Sequence, residues 1–170
     1  MTSIIDISGV NPDALNLRDM LEGILERVEN VYASYNVPIP ARRYWTMGMP
    51  AIDCEQLVVH FMQAYLGAPG AQDSTPNRCN IVRSATIAIS IARQLPVVVT
   101  QGTKPPSPEK ISAGSEISAV DAWVLLQSLN LFDMWEPQGV YGPGVIATVE
   151  SGDPEGGFRV VTMQLTMAIP

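Results

Sequence analysis

The chain has 170 residues, and its 10 lysines and arginines against 17 aspartates and glutamates give a formal net charge of −7. Charged residues make up 16% of the chain, below the roughly 25% of an average soluble domain, whereas the apolar fraction of 46% is ordinary. This length predicts one domain, residues 1–170, with a packed core. Its surface is either neutral and polar or partly buried against other subunits.

Charge and hydropathy argue against several classes of protein. The ten basic residues are outnumbered by seventeen acidic ones, so they provide no positive face for tight, sequence-specific DNA binding. No apolar run approaches the roughly 20 residues that span a bilayer, and residues 1–13 show no signal-peptide pattern, so we expect a cytoplasmic chain without membrane contact.

Cys54 and Cys79 form no CxxC pair. We interpret them as free thiols, with a disulfide as the alternative.

The first predicted element is an amphipathic helix over residues 13–35. Apolar residues recur at steps of three and four and predict one buried stripe, formed by Leu17, Leu21, Ile24, Val28, Val31 and Tyr35. Acidic side chains occupy the opposite face, and Pro38 ends the helix.

Three strands are predicted next, over residues 41–47, 54–66 and 83–95. The second segment also fits a helical stripe, but its alternation and its Val58-Val59 pair favour a strand. In the third segment isoleucines alternate with small polar residues, which predicts one core face and one small polar face.

A second helix is predicted over residues 109–131, followed by a hairpin of strands 144–151 and 158–169. Loops 67–80, 101–108 and 133–143 are longer than hairpins need and are either partner contacts or simple connections. The order α-β-β-β-α-β-β predicts an α+β fold: a mostly antiparallel β-sheet with two long α-helices packed on one face.

Catalytic chemistry finds little support in the sequence. No GxSxG, HExxH, GxxxxGK[ST] or strand-linked GxGxxG motif occurs, and the single histidine, His60, fits a structural or interface role better than a catalytic one. The acidic pairs Asp53 with Glu55 and Asp153 with Glu155 have too few ligands for a calcium loop. We therefore expect no enzyme activity, no cofactor and no metal.

The outward faces of the two long strands, 83–95 and 158–169, carry Thr, Ser, Ala, Val and Gln with hardly any charge. A sheet face exposed to solvent normally carries charges that prevent association with other sheets. These two faces are therefore suited to packing against another subunit.

Several short blocks resemble a known family. They are Ala41-Arg42-Arg43-Tyr44, Asp53-Cys54-Glu55-Gln56-Leu57-Val58, Arg78-Cys79, Arg83-Ser84-Ala85-Thr86, Ala119-Val120-Asp121-Ala122-Trp123, Gly156-Gly157-Phe158 and Thr166-Met167-Ala168-Ile169-Pro170. In order and spacing, over residues 17–170, they resemble the tail-terminator (head-to-tail joining) proteins of long-tailed siphophages that infect mycobacteria and related actinobacteria.

The resemblance implies a structural virion protein with a helix-backed sheet. Such proteins form a hexameric ring that caps the tail tube, terminates its polymerisation and joins the tail to the head. Its partners would be further copies of itself, the major tail tube protein and a head-side stopper or connector, with DNA passing through the lumen and no membrane involved. It would be assembled in the host cytoplasm and reside at the head-tail interface of the virion.

Two sets of contact residues follow from this reading. We predict ring contacts through the polar strand residues Thr86, Ser90, Thr162, Gln164 and Thr166. We predict inter-subunit ion pairs through Arg42, Arg43, Asp53 and Arg83. The alternatives are another neck or head-completion ring, a stopper or adaptor with a β-barrel core, and a small bacterial binding domain, which would need a pocket with convergent polar groups.

Overall fold

The computed structural model describes residues 16–70, 83–95, 107–132, 146–152 and 157–169. Its elements are α1 (Asn16–Ser34), β1 (Arg42–Met47), β2 (Gln56–Leu66), β3 (Arg83–Gln94), α2 (Pro108–Phe132), β4 (Ile146–Ser151) and β5 (Phe158–Ile169). Their order matches the predicted α-β-β-β-α-β-β. Most of the three predicted loops, and Cys79, lie outside the described residues, whereas Cys54 is a half-buried free thiol.

The described strands form one sheet in the order β1-β2-β3-β5-β4. Three pairings are antiparallel: β2 with β3, β3 with β5, and β5 with β4. The fourth pairing, of β1 with β2, is parallel, with Arg42 opposite Gln56 and Met47 opposite Phe61. The segment between β1 and β2 must therefore carry the chain back along the sheet. The sheet is therefore mixed, and the parallel pairing of β1 with β2 corrects the predicted fold, which did not include it.

The helices also differ from the expectation, because they do not pack as two long helices on one face. α1 contacts β1 and β2, whereas α2 contacts β3, β4 and β5. α1 buries a long apolar stripe, but among the described side chains of α2 only Val124 and Leu125 are fully buried apolar residues. The buried side of α2 also carries Ser118, Asp121 and Ser128. The two helices are therefore attached to the sheet in different ways.

The core lies where alternate strand residues meet the helices. Its strand members are Leu57, Val59, Ala85, Ile87, Ile89, Ile91, Val161, Met163, Leu165 and Met167. The α1 stripe adds Met20, Leu21, Ile24, Val28, Val31 and Tyr32. Burying side chains of this size stabilises the fold by about 1.5–3 kcal/mol each.

The C-terminus of α1 corrects one detail of the predicted stripe. Tyr32 is buried at 1% exposure, whereas Tyr35 is 51% exposed. Asn36 takes a left-handed conformation with φ of 52°, and the amide of Val37 donates to the carbonyl of Tyr32 at 3.0 Å. Asparagine tolerates this conformation and ends helices in this way. The helix thus stops where Tyr32 enters the core.

Candidate functional site

The polar strand residues predicted as ring contacts lie together on two neighbouring strands. In the register of β3 with β5, Thr86 is opposite Thr166 and Ser90 is opposite Thr162, while Gln164 is opposite an alanine. Both hydroxyl pairs are 3.2 Å apart. Thr86 is buried and the other four side chains are half-buried. The five residues form one patch whose hydroxyls bond within the chain, and their contact with another subunit stays a prediction.

The charged residues predicted to bridge subunits have different surroundings. Arg42 donates to Asp53 at 2.6 Å within the same chain, and its guanidinium also lies 5.1 Å from the centre of the Tyr44 ring. Arg43 lies 3.5 Å from a carboxylate oxygen of Glu29 on α1. Arg83 is exposed at the start of β3 and makes no ion pair with any described residue. An inter-subunit role remains a prediction for all of them.

A buried polar cluster ties α1, α2 and β3 together, and the sequence reasoning missed it. Arg93 donates to both carboxylate oxygens of Asp121, at 2.8 and 2.9 Å, and to the carbonyl of Pro38 at 2.6 Å. The hydroxyl of Tyr32 donates to Asp121 at 2.6 Å. The Asp121 side chain is fully buried and that of Arg93 is 7% exposed. Every oxygen of the carboxylate therefore has a hydrogen-bond donor.

This cluster connects α1, α2 and β3, and its burial and charges change the pKa of Tyr32. Burial, followed by the charge and the hydrogen bond of Asp121, raises the pKa of Tyr32 far above its usual range. The hydroxyl consequently stays protonated as a donor at any physiological pH. The bidentate arginine supplies the counter-charge that makes a buried carboxylate tolerable.

Residue parity was the signal that could have revealed the cluster. Arg93 is odd-numbered on β3, like the core residues Ile89 and Ile91, so alternation places its guanidinium on the buried face. Asp121 stands three and four residues before Val124 and Leu125, on the buried side of α2. A charge of each sign on a core face predicts that the two side chains meet.

His60 lies on the opposite face of the sheet from the core residues Leu57 and Val59. Its Nε2 is 3.2 Å from the hydroxyl of Ser90, which continues to Thr162, while its Nδ1 is buried without a hydrogen-bond partner among the described groups. The side chain is 2% exposed, and burial lowers the pKa of His60. The imidazole is therefore a neutral member of the polar patch.

An open groove of ≈370 Å³ runs between α1 and β1, and a second of ≈590 Å³ lies along the first turns of α2. Glu22, Glu26 and Glu29 line the first groove, where Trp45 donates to Glu22 at 3.3 Å.

Within the described ranges no three acidic, histidine or cysteine side chains are arranged to hold a metal ion. No described helix is long and apolar enough to cross a bilayer.

The exposed large apolar side chains of the described residues include two separate groups, besides Ile52, Leu66 and Ile111. Trp123 and Leu126 on α2 are 42% and 47% exposed, and the Trp123 ring packs edge-on against Tyr35 with centroids 4.5 Å apart. We call these three residues the aromatic patch. Met47, Met49 and Met62, which surround the end of β1, are 57%, 85% and 44% exposed and form the methionine patch. Apolar patches of this kind mark interaction surfaces.

The comparisons with known proteins find neither a matching family model nor a matching curated protein.

Proposed function

We propose that this chain is the subunit of a ring that caps the tail tube of a long-tailed phage, ends tube growth and joins the tail to the head. The observation that carries the proposal is the pair of exposed apolar patches on a chain in which only 16% of residues are charged. Such surfaces are stable in water when another protein covers them. A ring of identical subunits would cover both patches on every copy.

The blocks that resemble tail terminators also contact one another in the fold. Arg42 of the first block pairs with Asp53 of the second, and Thr86 pairs with Thr166 of the last. Asp121 lies in the block on α2 and holds Arg93. The buried contacts of Thr86 and Asp121 support the proposal, because blocks that matter for a structural protein should include ones that maintain its framework, whereas the exposed pair of Arg42 and Asp53 adds little stability.

The acidic balance of the chain suits a channel for DNA. A net charge of −7 per subunit is multiplied around a ring, and the resulting negative potential repels phosphates. DNA would then pass through the lumen without binding to its wall. The proposal therefore includes no specific nucleic-acid contact.

Two alternatives are less well supported. A stopper with a β-barrel core would not contain a sheet with separate edge strands β1 and β4 and two helices, as found in the described residues. A small bacterial binding domain needs an enclosed pocket with convergent polar groups, whereas the groove between α1 and β1 is shallow and open.

The purified full chain tests the proposal directly. Native mass spectrometry and negative-stain microscopy, with and without isolated tail tubes, should show a closed ring of six that sits at one end of each tube. Tail tubes alone are the control. A chain that stays monomeric both alone and with tubes contradicts the proposal.

A genetic test is independent of purification. Deletion of the gene from the phage should give overlong or headless tails, and expression of the chain from a plasmid should restore normal particles. Normal virions from the deletion strain would refute the role.

A further inference from the structure

The outward side of α2 is more apolar than a solvent-facing helix surface should be. Its exposed positions Glu116, Ala119, Trp123 and Leu126 follow helical steps of three and four, so they lie on one stripe. The opposite, buried side includes the polar residues of the Arg93 cluster. A helix that places its tryptophan outside and its aspartate inside has an outer face suited to a protein partner.

The two apolar patches lie at different levels along the strands of the sheet. Asp121 binds Arg93 near the end of β3, so the aromatic patch belongs to that end. The methionine patch follows the end of β1 and adjoins the second half of β2, whose last residue, Leu66, pairs with Arg83 at the start of β3. Met47 is opposite Phe61, and Phe61 is opposite Ile87, so the methionine patch lies six residues, or about 20 Å, from the level of Arg93 along β3. One patch therefore cannot cover the other within a single chain.

The two regions match in chemistry. Thioether groups pack favourably against aromatic rings, and flexible methionines adapt to an irregular partner surface. Glu116 on the α2 stripe and Arg83 beside Leu66 are both exposed, and neither has an ion-pair partner among the described residues. Each region thus offers an apolar patch together with one uncompensated charge, and the two charges have opposite signs.

The two regions also match in length. On α2, Glu116 precedes Trp123 by seven residues and Leu126 by ten, which places the charge about 10 to 15 Å from the aromatic patch. On β2, Met62 precedes Leu66 by four residues, so Arg83 lies about 13 Å from the methionine patch. A single docking geometry can therefore satisfy the apolar contact and the ion pair together.

We propose that the α2 stripe of one subunit docks on the methionine patch of a second copy of this chain, with Glu116 of one copy paired with Arg83 of the next. The contact joins two different surfaces, so each subunit can bind one neighbour through each surface. Repetition of such a contact produces a closed ring when the rotation between subunits closes. The inference rests on the proposed ring function and assigns the surfaces that build the ring.

A charge exchange tests this pairing. We expect Glu116→Arg and Arg83→Glu each to raise the protein concentration at half assembly about tenfold, a factor that corresponds to one lost interface interaction. The double variant E116R/R83E should return to within about threefold of the original chain. Glu26→Arg, an exposed glutamate on α1, is the matched control and should assemble normally. Assembly is followed by native mass spectrometry and by light scattering during size-exclusion chromatography.

A second variant does not depend on the ion pair. Leu126→Lys places a charge in the aromatic patch and should abolish assembly, while circular dichroism reports an unchanged fold because this side chain is 47% exposed. If the original chain forms rings and both the single charge reversals and L126K do so equally well, the assigned surfaces are wrong and the ring function stands. If the original chain remains a monomer with and without tail tubes, the ring function fails as well.

Discussion

Two arginine-aspartate pairs in this chain have nearly the same shortest nitrogen-to-oxygen distance and opposite surroundings. Arg42 and Asp53 are 2.6 Å apart with side chains 48% and 67% exposed, whereas Arg93 and Asp121 are 2.8 Å apart and 7% and 0% exposed. Water can solvate either member of the first pair if its partner is lost, but not of the second. The nitrogen-to-oxygen distance therefore does not tell which pair contributes more to stability. The contribution depends on whether water can solvate the side chain that remains when its partner is removed.

The largest effect is expected from Asp121→Ala. The substitution leaves the buried Arg93 guanidinium with only the exposed carboxylate of Glu55, 3.9 Å away, and removes the acceptor of the Tyr32 hydroxyl, which should cost about 3–5 kcal/mol of unfolding free energy. Urea denaturation at a fixed protein concentration measures it. Asp53→Ala is the matched control, and equal losses for the two variants would show that burial does not separate the pairs.

Tyr32→Phe should have a smaller effect. It removes one hydrogen bond, but Asp121 keeps both bonds from Arg93, so a loss of about 1 kcal/mol is expected. The same denaturation experiment measures this loss. A loss as large as that of Asp121→Ala would mean that the hydrogen bond from Tyr32, and not the ion pair with Arg93, contributes most of the stability of the cluster.

The tyrosine also has a signature in alkaline solution. Because the pKa of Tyr32 is raised in the folded chain, the unfolded chain loses this proton first, and its contribution to stability declines as the pH rises above about 10. Tyr32→Phe should therefore show a shallower fall in stability between about pH 9 and 11. Identical slopes would contradict the assigned shift.

His60 should give a weaker effect at the acid side. Its pKa is lowered by burial, so the unfolded chain takes up this proton first as the pH falls below about 6.5. The contribution of the neutral imidazole is present above that pH and declines as the pH falls towards the lowered pKa. His60→Leu should reduce the loss of stability between about pH 7 and 5, measured by urea denaturation, and an unchanged slope would argue against a neutral buried imidazole.

The smallest effect is expected from Arg42→Ala. Both members of this pair are exposed, and such pairs often contribute nothing measurable to stability. The unfolding midpoint should stay within experimental error of that of the unmodified chain, at low and at high salt. A clear loss of stability would remove the contrast between the two pairs.

Local sequence patterns were sufficient to find the elements of this fold. The alternation of residues 83–95 and 158–169 predicted β3 and β5 to within one residue, since one face of each strand meets the core. The direction of β1 could not be obtained in this way. Alternation is the same in a parallel and an antiparallel strand, and the direction depends on the path of the segment between Met47 and Gln56.

The contact surfaces were predictable only in part. The pattern of β3 and β5 identified the polar patch, because cross-strand neighbours follow from alternation once the strands pair. The position of Trp123 outside the core and of Asp121 inside it depended on how α2 rotates against the sheet, and α2 is apolar on several sides. Arg42 and Asp53 were identified as charged contacts, but their mutual pairing depended on the mixed topology.

The position of β5 has a consequence for synthesis. This strand lies between β3 and β4 and pairs with both, from Ser151 opposite Val161 to Arg83 opposite Ile169. Contacts this distant in sequence raise the contact order and slow folding. A nascent chain that has emerged only as far as α2 has an open edge on β3, so the sheet closes after residues 158–169 leave the ribosome. Unfinished chains therefore lack the strand that joins β4 to the rest of the sheet and packs against α2.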